Sequence, residues 1–231
     1  LRGAAFVLLA YALMGAMGVI GAPVVLWSER LSRAWMKLYI RVAFAMLRAI
    51  CGLRVEIRGP VPQGDVIVAA KHQSLLDVLA LYLALPEPRF VMKRELLLAP
   101  VFGLYARRAG CVPIDRSGGQ GAVRAMIEAF RGRSGQLVIY PQGTRVAPGA
   151  RAPYRRGAVA LHQALGLPVV LVATNGGLYW PRRGVARYPG RAVIEVLGTL
   201  PADLPEGEFA ARIEGGIEAG SDRLAAMPEF R

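Results

Sequence analysis

The chain has 231 residues, enough for one sizeable α/β domain with an appendage and too few for two full domains. Its formal net charge of +13 calls for an anionic partner, and the absence of zinc-finger spacing, an aromatic-studded basic strand or a basic tail excludes nucleic acid in favour of a membrane surface or an acidic substrate. Two separated cysteines, Cys51 and Cys111, and two histidines, His72 and His162, give neither a disulfide framework nor a metal cage, and both cysteines are read as buried thiols in a reducing compartment.

In chain order, the first element is an apolar helix. Gly3 to Trp27 are 25 residues without a charge, and in a helix they would reach about 37 Å, against a hydrocarbon core of about 30 Å. The run is long for a signal peptide, and only Arg2 precedes it. Gly15, Gly18 and Gly21, with Ala12 and Ala22, would admit a second helix at close range. That second helix follows. On a wheel of about 100° per residue, Arg30, Arg33, Lys37, Arg41 and Arg48 gather within roughly 80°. Leu31, Trp35, Leu38, Tyr39, Val42, Met46 and Ile50 take the other side, a pattern suited to the headgroup layer of an anionic membrane. Residues 1–50 are therefore expected to be a membrane-anchoring pair of helices, with residues 51–231 as a separate α/β domain. The Lys/Arg excess after the apolar helix would place that domain on the cytoplasmic side of the membrane.

Beyond Gly52, short β-branched runs alternate with helical stretches. Strands are predicted at Leu53–Ile57, Val66–Ala70, Phe90–Met92, Cys111–Ile114, Leu137–Tyr140, Val169–Ala173 and Ala192–Leu197. Helices are predicted at Ser74–Leu85, Ala122–Arg131, Arg156–Leu165 and from about Glu208 to Ala226, with broken helical pieces around Pro100. The alternation implies a mixed, largely parallel sheet covered by helices, whose ligands gather at strand carboxyl ends. Three motifs stand at such ends: His72 after the second strand, Asp115-Arg116 after the Cys111 strand, and Pro141–Arg145 after the Leu137 strand.

His72 and Asp77 have the form of a base and its orienting carboxylate. Asp77 also completes a Ser74-x-x-Asp77 capping box, so a purely structural role stands beside the catalytic one. Ser74 is better explained as a cap than as a nucleophile, and a dyad without a protein nucleophile suits direct attack by a substrate hydroxyl or by water. Gly143-Thr144-Arg145 offers backbone donors, a hydroxyl and a guanidinium to a phosphate. Arg116, Lys71, Lys93 and Arg94 would add positive potential, and Pro181-Arg182-Arg183 is either an extension of that rim or an ordinary basic loop. Ser117–Gly121 lacks the lysine and spacing of a phosphate loop. His162, between Leu161 and Leu165 in a helix, is read as structural.

His72-Gln-Ser-Leu-Leu-Asp77 resembles the His-x4-Asp signature of the glycerolipid acyltransferases, most closely the bacterial 1-acyl-sn-glycerol-3-phosphate (lysophosphatidic acid) acyltransferases. Gly110–Arg116 resembles the second block of that family, Tyr140–Arg145 the third, usually Phe-Pro-Glu-Gly-Thr-Arg, and Leu167–Ala173 the fourth. Phe90–Leu96 is similar to the segment between the first two, so the resemblance spans about residues 52 to 200. It implies that His72, oriented by Asp77, deprotonates the sn-2 hydroxyl of lysophosphatidic acid for attack on acyl-CoA or acyl-carrier protein, giving phosphatidic acid with no tightly bound cofactor or metal. Arg116, Gly143, Thr144 and Arg145 would hold the phosphate, and backbone donors near Gly143 the oxyanion. Two residues depart from the pattern: Lys71 stands where asparagine is common, and Gln142 where glutamate is usual. Gln142 is expected to orient Arg145 or a substrate hydroxyl, so that Gln142→Glu leaves substantial activity while His72→Ala removes nearly all. Alternatives are another lyso-lipid such as lyso-ornithine lipid, glycerol-3-phosphate itself, a thioester hydrolase, and a non-catalytic lipid-binding membrane module.

Overall fold

The computed structural model describes residues 1–115 and 119–227. Three helices precede the first strand: α1 (Arg2–Ile20), a short α2 (Ala22–Trp27) and α3 (Glu29–Cys51). Both expected N-terminal helices are present, and the six-residue α2 links them. Ser28 caps α3 by accepting from Leu31 N, and Gly52, at φ 70°, ends it in the left-handed region.

The α/β part runs β1 (Leu53–Arg58), β2 (Val66–Ala70), α4 (Leu75–Ala84), β3 (Pro88–Lys93), a 3-10 turn (Arg94–Leu98), α5 (Pro100–Arg108), β4 (Val112–Ile114), α6 (Gly119–Phe130), β5 (Gln136–Ile139), α7 (Gly157–Leu165), β6 (Val169–Thr174), α8 (Gly176–Tyr179), β7 (Gly190–Leu200) and α9 (Glu206–Ala226). The seven strands form one sheet in the order β1-β7-β6-β2-β5-β3-β4. Parallel pairing joins β6, β2, β5, β3 and β4, and β7 pairs antiparallel with β6 while carrying β1 parallel to itself. The mixed, largely parallel sheet expected from the sequence is thus observed. Strand β7 is longer than its apolar run suggests, with a pairing irregularity opposite Leu171 and Val172.

Because side chains alternate across a strand, β2 feeds two cores. Val66, Val68 and Ala70 join Phe6, Ile40, Leu47, Leu76, Leu81 and Tyr179 on one face. Ile67 and Ala69 join Phe130, Leu161, Phe209, Ile213 and Ile217 on the other. The first face is closed by α1, α3 and α4, so the N-terminal helices share a core with the sheet. His162 lies in the second layer, buried and stacked on Phe209 with ring centroids 4.1 Å apart. Neither of its ring nitrogens has a hydrogen-bond partner, which fits a packing role.

The N-terminal side chains divide differently from the helical wheel. Arg30, Arg41 and Arg48 are exposed. Arg33, by contrast, bonds Glu87 at 3.2 Å, and Lys37 donates to the Leu85 carbonyl at 2.5 Å. These two tie α3 to the end of α4, because carbonyls left open at a helix terminus attract cations. Burial, then the charges of Arg41 and Arg33, holds the Lys37 ammonium pKa below its ordinary value. Trp35 points inward as well, donating from Nε1 to the Met17 carbonyl at 2.9 Å. The aromatic residue most exposed in this region is Trp27.

Candidate active site

Strand β2 ends at Ala70 in the centre of the sheet, and Lys71 N still donates to the Val172 carbonyl. The chain leaves the sheet there with His72 half-buried at its carboxyl end, then turns into α4. Ser74 caps that helix through Oγ, accepting from Leu76 N at 3.0 Å. Asp77, 1% exposed, brings its Oδ2 within 2.6 Å of Gln73 N, 2.7 Å of Ser74 N and 3.3 Å of His72 Nδ1. Its other oxygen accepts from Thr174 Oγ1 at 3.4 Å. The capping box and the histidine–aspartate contact therefore coexist, since one carboxylate oxygen serves both. With Nδ1 directed at the carboxylate, Nε2 is the nitrogen left to face a substrate.

His72 is also held from the side. Its ring stacks on Tyr140 at 3.9 Å between centroids, with 20° between planes. Burial, and then the charge of Asp77, pushes the Tyr140 hydroxyl well above the ordinary phenol range, so it stays protonated and cannot act as the base. Gln73 Oε1 accepts from Gly177 N at 2.9 Å and fixes the loop to α8.

The second motif lies against the first. Val146 N donates to the His72 carbonyl at 2.8 Å, joining the two motif loops directly. Gly143 occupies the left-handed region at φ 68°, and a Cβ there would come within 2.6 Å of Arg155 Nε. Both the turn and the packing require glycine. The Gly143 amide donates to the Tyr140 carbonyl at 2.8 Å. It is therefore used inside the turn rather than offered to an oxyanion or phosphate. Thr144 is half-buried. Arg145 and Arg182 bond each other's carbonyls reciprocally, at 3.0 and 3.1 Å. This joins the Pro181-Arg182-Arg183 segment to the anion-binding turn.

Three expected residues need separate mention. Arg116 lies outside the described residues. Lys93 is exposed at the end of β3, beside Arg94, which pairs with Asp115 at 3.7 Å. Lys71 is not open positive charge: it is 2% exposed and ion-paired to Glu218 at 2.6 Å. Gln142 also differs from its expected role. It turns away from Arg145 into the protein, where Nε2 donates to Glu218 Oε1 at 3.2 Å and more distantly to the Ala152 carbonyl. The left-handed turn at Gly143 separates the two side chains, Gln142 meeting Glu218 while Arg145 bonds the Arg182 carbonyl. Glu218 and Arg182 complete the surroundings of the site without belonging to any recognisable motif.

Comparison with known proteins agrees with this arrangement. A family model described as Acyltransferase matches residues 52–175. The 1-acyl-sn-glycerol-3-phosphate acyltransferase of Pseudomonas aeruginosa is 35% identical over 176 residues, covering 74% of this chain and 67% of that protein. The alpha form from Mus musculus is 31% identical over 181 residues, covering 72% of this chain and 64% of that protein. The chain thus spans about two thirds of the length of these relatives. Its fold matches the crystal structure of the 1-acyl-sn-glycerophosphate (LPA) acyltransferase PlsC from Thermotoga maritima, with TM-score 0.78, 21% identity, and coverage of 98% of this chain and 99% of that one. The matched segment, more than half the chain, contains both motif loops, and the chain belongs to the acyltransferase family.

Proposed function

We propose that this acyltransferase moves a fatty acyl group from the thioester of acyl-CoA or acyl-carrier protein to the sn-2 hydroxyl of lysophosphatidic acid, forming phosphatidic acid. One observation carries the reading: Asp77 engages His72 Nδ1, and Val146 N, directly after the Gly143-Thr144-Arg145 turn, donates to the His72 carbonyl, so the base and the turn share one junction. A base and an anion clamp so joined fit an acceptor having a hydroxyl and a phosphate on one small backbone.

Nε2 takes the hydroxyl proton as the oxygen attacks the thioester carbonyl. Asp77 stabilises the imidazolium that forms. The tetrahedral intermediate then collapses, the carbon–sulfur bond breaks, and the proton passes from His72 to the departing thiolate. Arg145, Thr144 and Arg116 hold the phosphate, Lys93 at the end of β3 adds positive potential, and the exposed Arg182 extends the rim. The Thr144 and Arg145 amides are the donors we assign to the oxyanion, since the Gly143 amide is used inside the turn and, among the described residues, neither of the other two makes a backbone–backbone bond. Residues 1–50 seat the enzyme on an anionic membrane, at the cytoplasmic face of the inner membrane, where such an acceptor resides.

The test uses purified protein in mixed vesicles with labelled acyl-CoA or acyl-carrier protein and a panel of acceptors including lysophosphatidic acid, lyso-ornithine lipid and glycerol-3-phosphate. Labelled phosphatidic acid is the expected product, and His72→Ala should lower its rate by about 1,000-fold or more. Release of free fatty acid without acceptor would establish a hydrolase instead. Comparable transfer by His72→Ala and the parent protein would end the mechanism.

A further inference from the structure

Lys71 immediately precedes His72, and Gln142 immediately precedes Gly143. Although their motifs lie on different strands, both side chains end on one carboxylate, Glu218 of α9. Lys71 Nζ lies 2.6 and 2.7 Å from its two oxygens. Gln142 Nε2 lies 3.2 Å from Oε1, and the Tyr154 hydroxyl donates to the same oxygen at 2.9 Å. Arg151 donates to Oε2 at 2.8 Å and also pairs with Asp222. Lys71, Gln142 and Glu218 are all buried. Two cations, Lys71 and Arg151, thus meet two anions, Glu218 and Asp222, and Gln142 adds a donor without adding charge.

We propose that Glu218 is a positioning residue for acyl transfer, fixing His72 relative to the Gly143-Thr144-Arg145 turn by anchoring the residue that precedes each. The proposal rests on the acyl-transfer reading above. It accounts together for the two positions at which the motifs depart from their usual residues. A lysine replaces a neutral side chain at 71, an amide replaces a carboxylate at 142, and Glu218 supplies the negative charge that both changes require. A second carboxylate at 142 would stand against Glu218 in a buried site, where like charges are unfavourable, and the adjacent Arg155 is engaged at the Gln142 carbonyl at 3.4 Å. The expectation that Gln142→Glu keeps substantial activity is accordingly revised to a clear loss.

The decisive experiment is a charge-conserving cycle of Glu218→Gln, Gln142→Glu and the double variant, each assayed for acyl transfer and for the imidazole nitrogen resonances of His72. With only two histidines in the chain, the second set of signals serves as an internal reference. Glu218→Gln should lower kcat about 100-fold, with little change in the donor KM, and should shift the His72 nitrogen signals. Gln142→Glu should also lose activity. The double variant, which returns one carboxylate and one amide to the cluster, should recover to within about ten-fold of the parent and restore the His72 signals. If Glu218→Gln fails to fold, recovery of both folding and transfer in the double variant supports the proposal. A double variant that folds but transfers no faster than Glu218→Gln overturns it, as does parental kcat in the single variant. Absence of transfer by the parent itself would defeat the reaction assignment, not the positioning. The His72 signals then decide, and their remaining unchanged in folded Glu218→Gln overturns the proposal.

Discussion

Asp77 Oδ2 is shared by two backbone amides and an imidazole, so its structural and catalytic roles can be separated only by comparison with its neighbour. Ser74→Ala removes the Oγ cap on Leu76 N and touches nothing on His72. It should cost about 1 kcal/mol of stability, leaving kcat within about three-fold of the parent. Asp77→Asn keeps the size and one acceptor oxygen but places an amide where His72 needs a carboxylate. The expected loss in kcat is about 1,000-fold, with only a modest fall in Tm. Thermal melts and turnover on the two purified variants check this, and parallel losses in both would reduce Asp77 to a cap. The ambiguity itself was legible in the sequence, because Ser74-x-x-Asp77 and His72-x4-Asp77 overlap. Its resolution was not, because nothing in the spacing says that a single oxygen satisfies both patterns. Gln142 shows the opposite limit. Its identity marked it as unusual, but its direction depends on what lies behind the strand.

What lies behind is α9, the element on which sequence reading was weakest. Glu218 is 147 positions from Lys71, and in an amphipathic helix of mixed charge a glutamate reads as solvated surface. Phe209, Ile213 and Ile217 follow one another at four-residue intervals, marking the buried face from sequence alone. No comparable regularity marks the buried carboxylate of Glu218, directly after Ile217. One turn on, Asp222 and Arg151 close the same cluster at its exposed end. The Arg151 guanidinium beside Asp222 holds its carboxyl below the usual carboxylate range, against a smaller opposing effect of burial. A carboxylate with a lowered folded-state pKa contributes stability that is complete above its ordinary range and disappears as pH falls through the lowered value. The contact of α9 with the loop carrying Arg151 should therefore weaken below about pH 4. Asp222→Asn removes that share at every pH, so its fall in Tm between pH 7 and pH 3 should be smaller than the parent's. Identical acid-induced falls in paired melts would show that the pair adds nothing to the docking of α9. Strand placement was the more legible part of the elements. The short helix α8 was missed because Gly176-Gly177 has poor helix propensity, and a Cβ at either position would meet Asp77 or Gln73.

At the scale of the whole molecule, both ends of α1 are held against the rest of the chain. Near its start, a Cβ on Gly3 would lie 2.1 Å from the Val185 carbonyl oxygen, and Phe6 packs edge-on to Trp180 at 5.6 Å. Near its end, the Tyr105 hydroxyl donates to the Gly18 carbonyl at 3.3 Å, and Trp35 donates to that of Met17. The helix is long and apolar enough to cross a membrane by length and composition. Contacts at both ends instead favour a helix lying along the domain, with Leu8, Tyr11, Val19 and Ile20 exposed. The sequence supplied the apolar run and the cationic stripe but not their division, because the wheel cannot show that Glu87 and the Leu85 carbonyl wait beside Arg33 and Lys37. Of the five basic residues of α3, Arg30, Arg41 and Arg48 stay exposed, accompanied by the exposed Leu31 and Leu38. Membrane attraction should follow that division. At about 1 kcal/mol for each basic residue near an anionic surface, changing all three to glutamine should weaken binding to phosphatidylserine vesicles by about 100-fold at low ionic strength. The difference from the parent should shrink as salt is raised. Arg33→Gln should leave vesicle affinity nearly unchanged and lower Tm, since its partner is Glu87 rather than a headgroup. Leu8→Asp with Val19→Asp should weaken binding to neutral and anionic vesicles alike, because it acts on apolar insertion. Co-sedimentation across a salt series reads the three affinities, and a thermal melt reads the Tm of Arg33→Gln. If the triple variant binds like the parent at every salt concentration, the cationic face of α3 does not seat the enzyme, and the apolar surface of α1 carries the attachment alone.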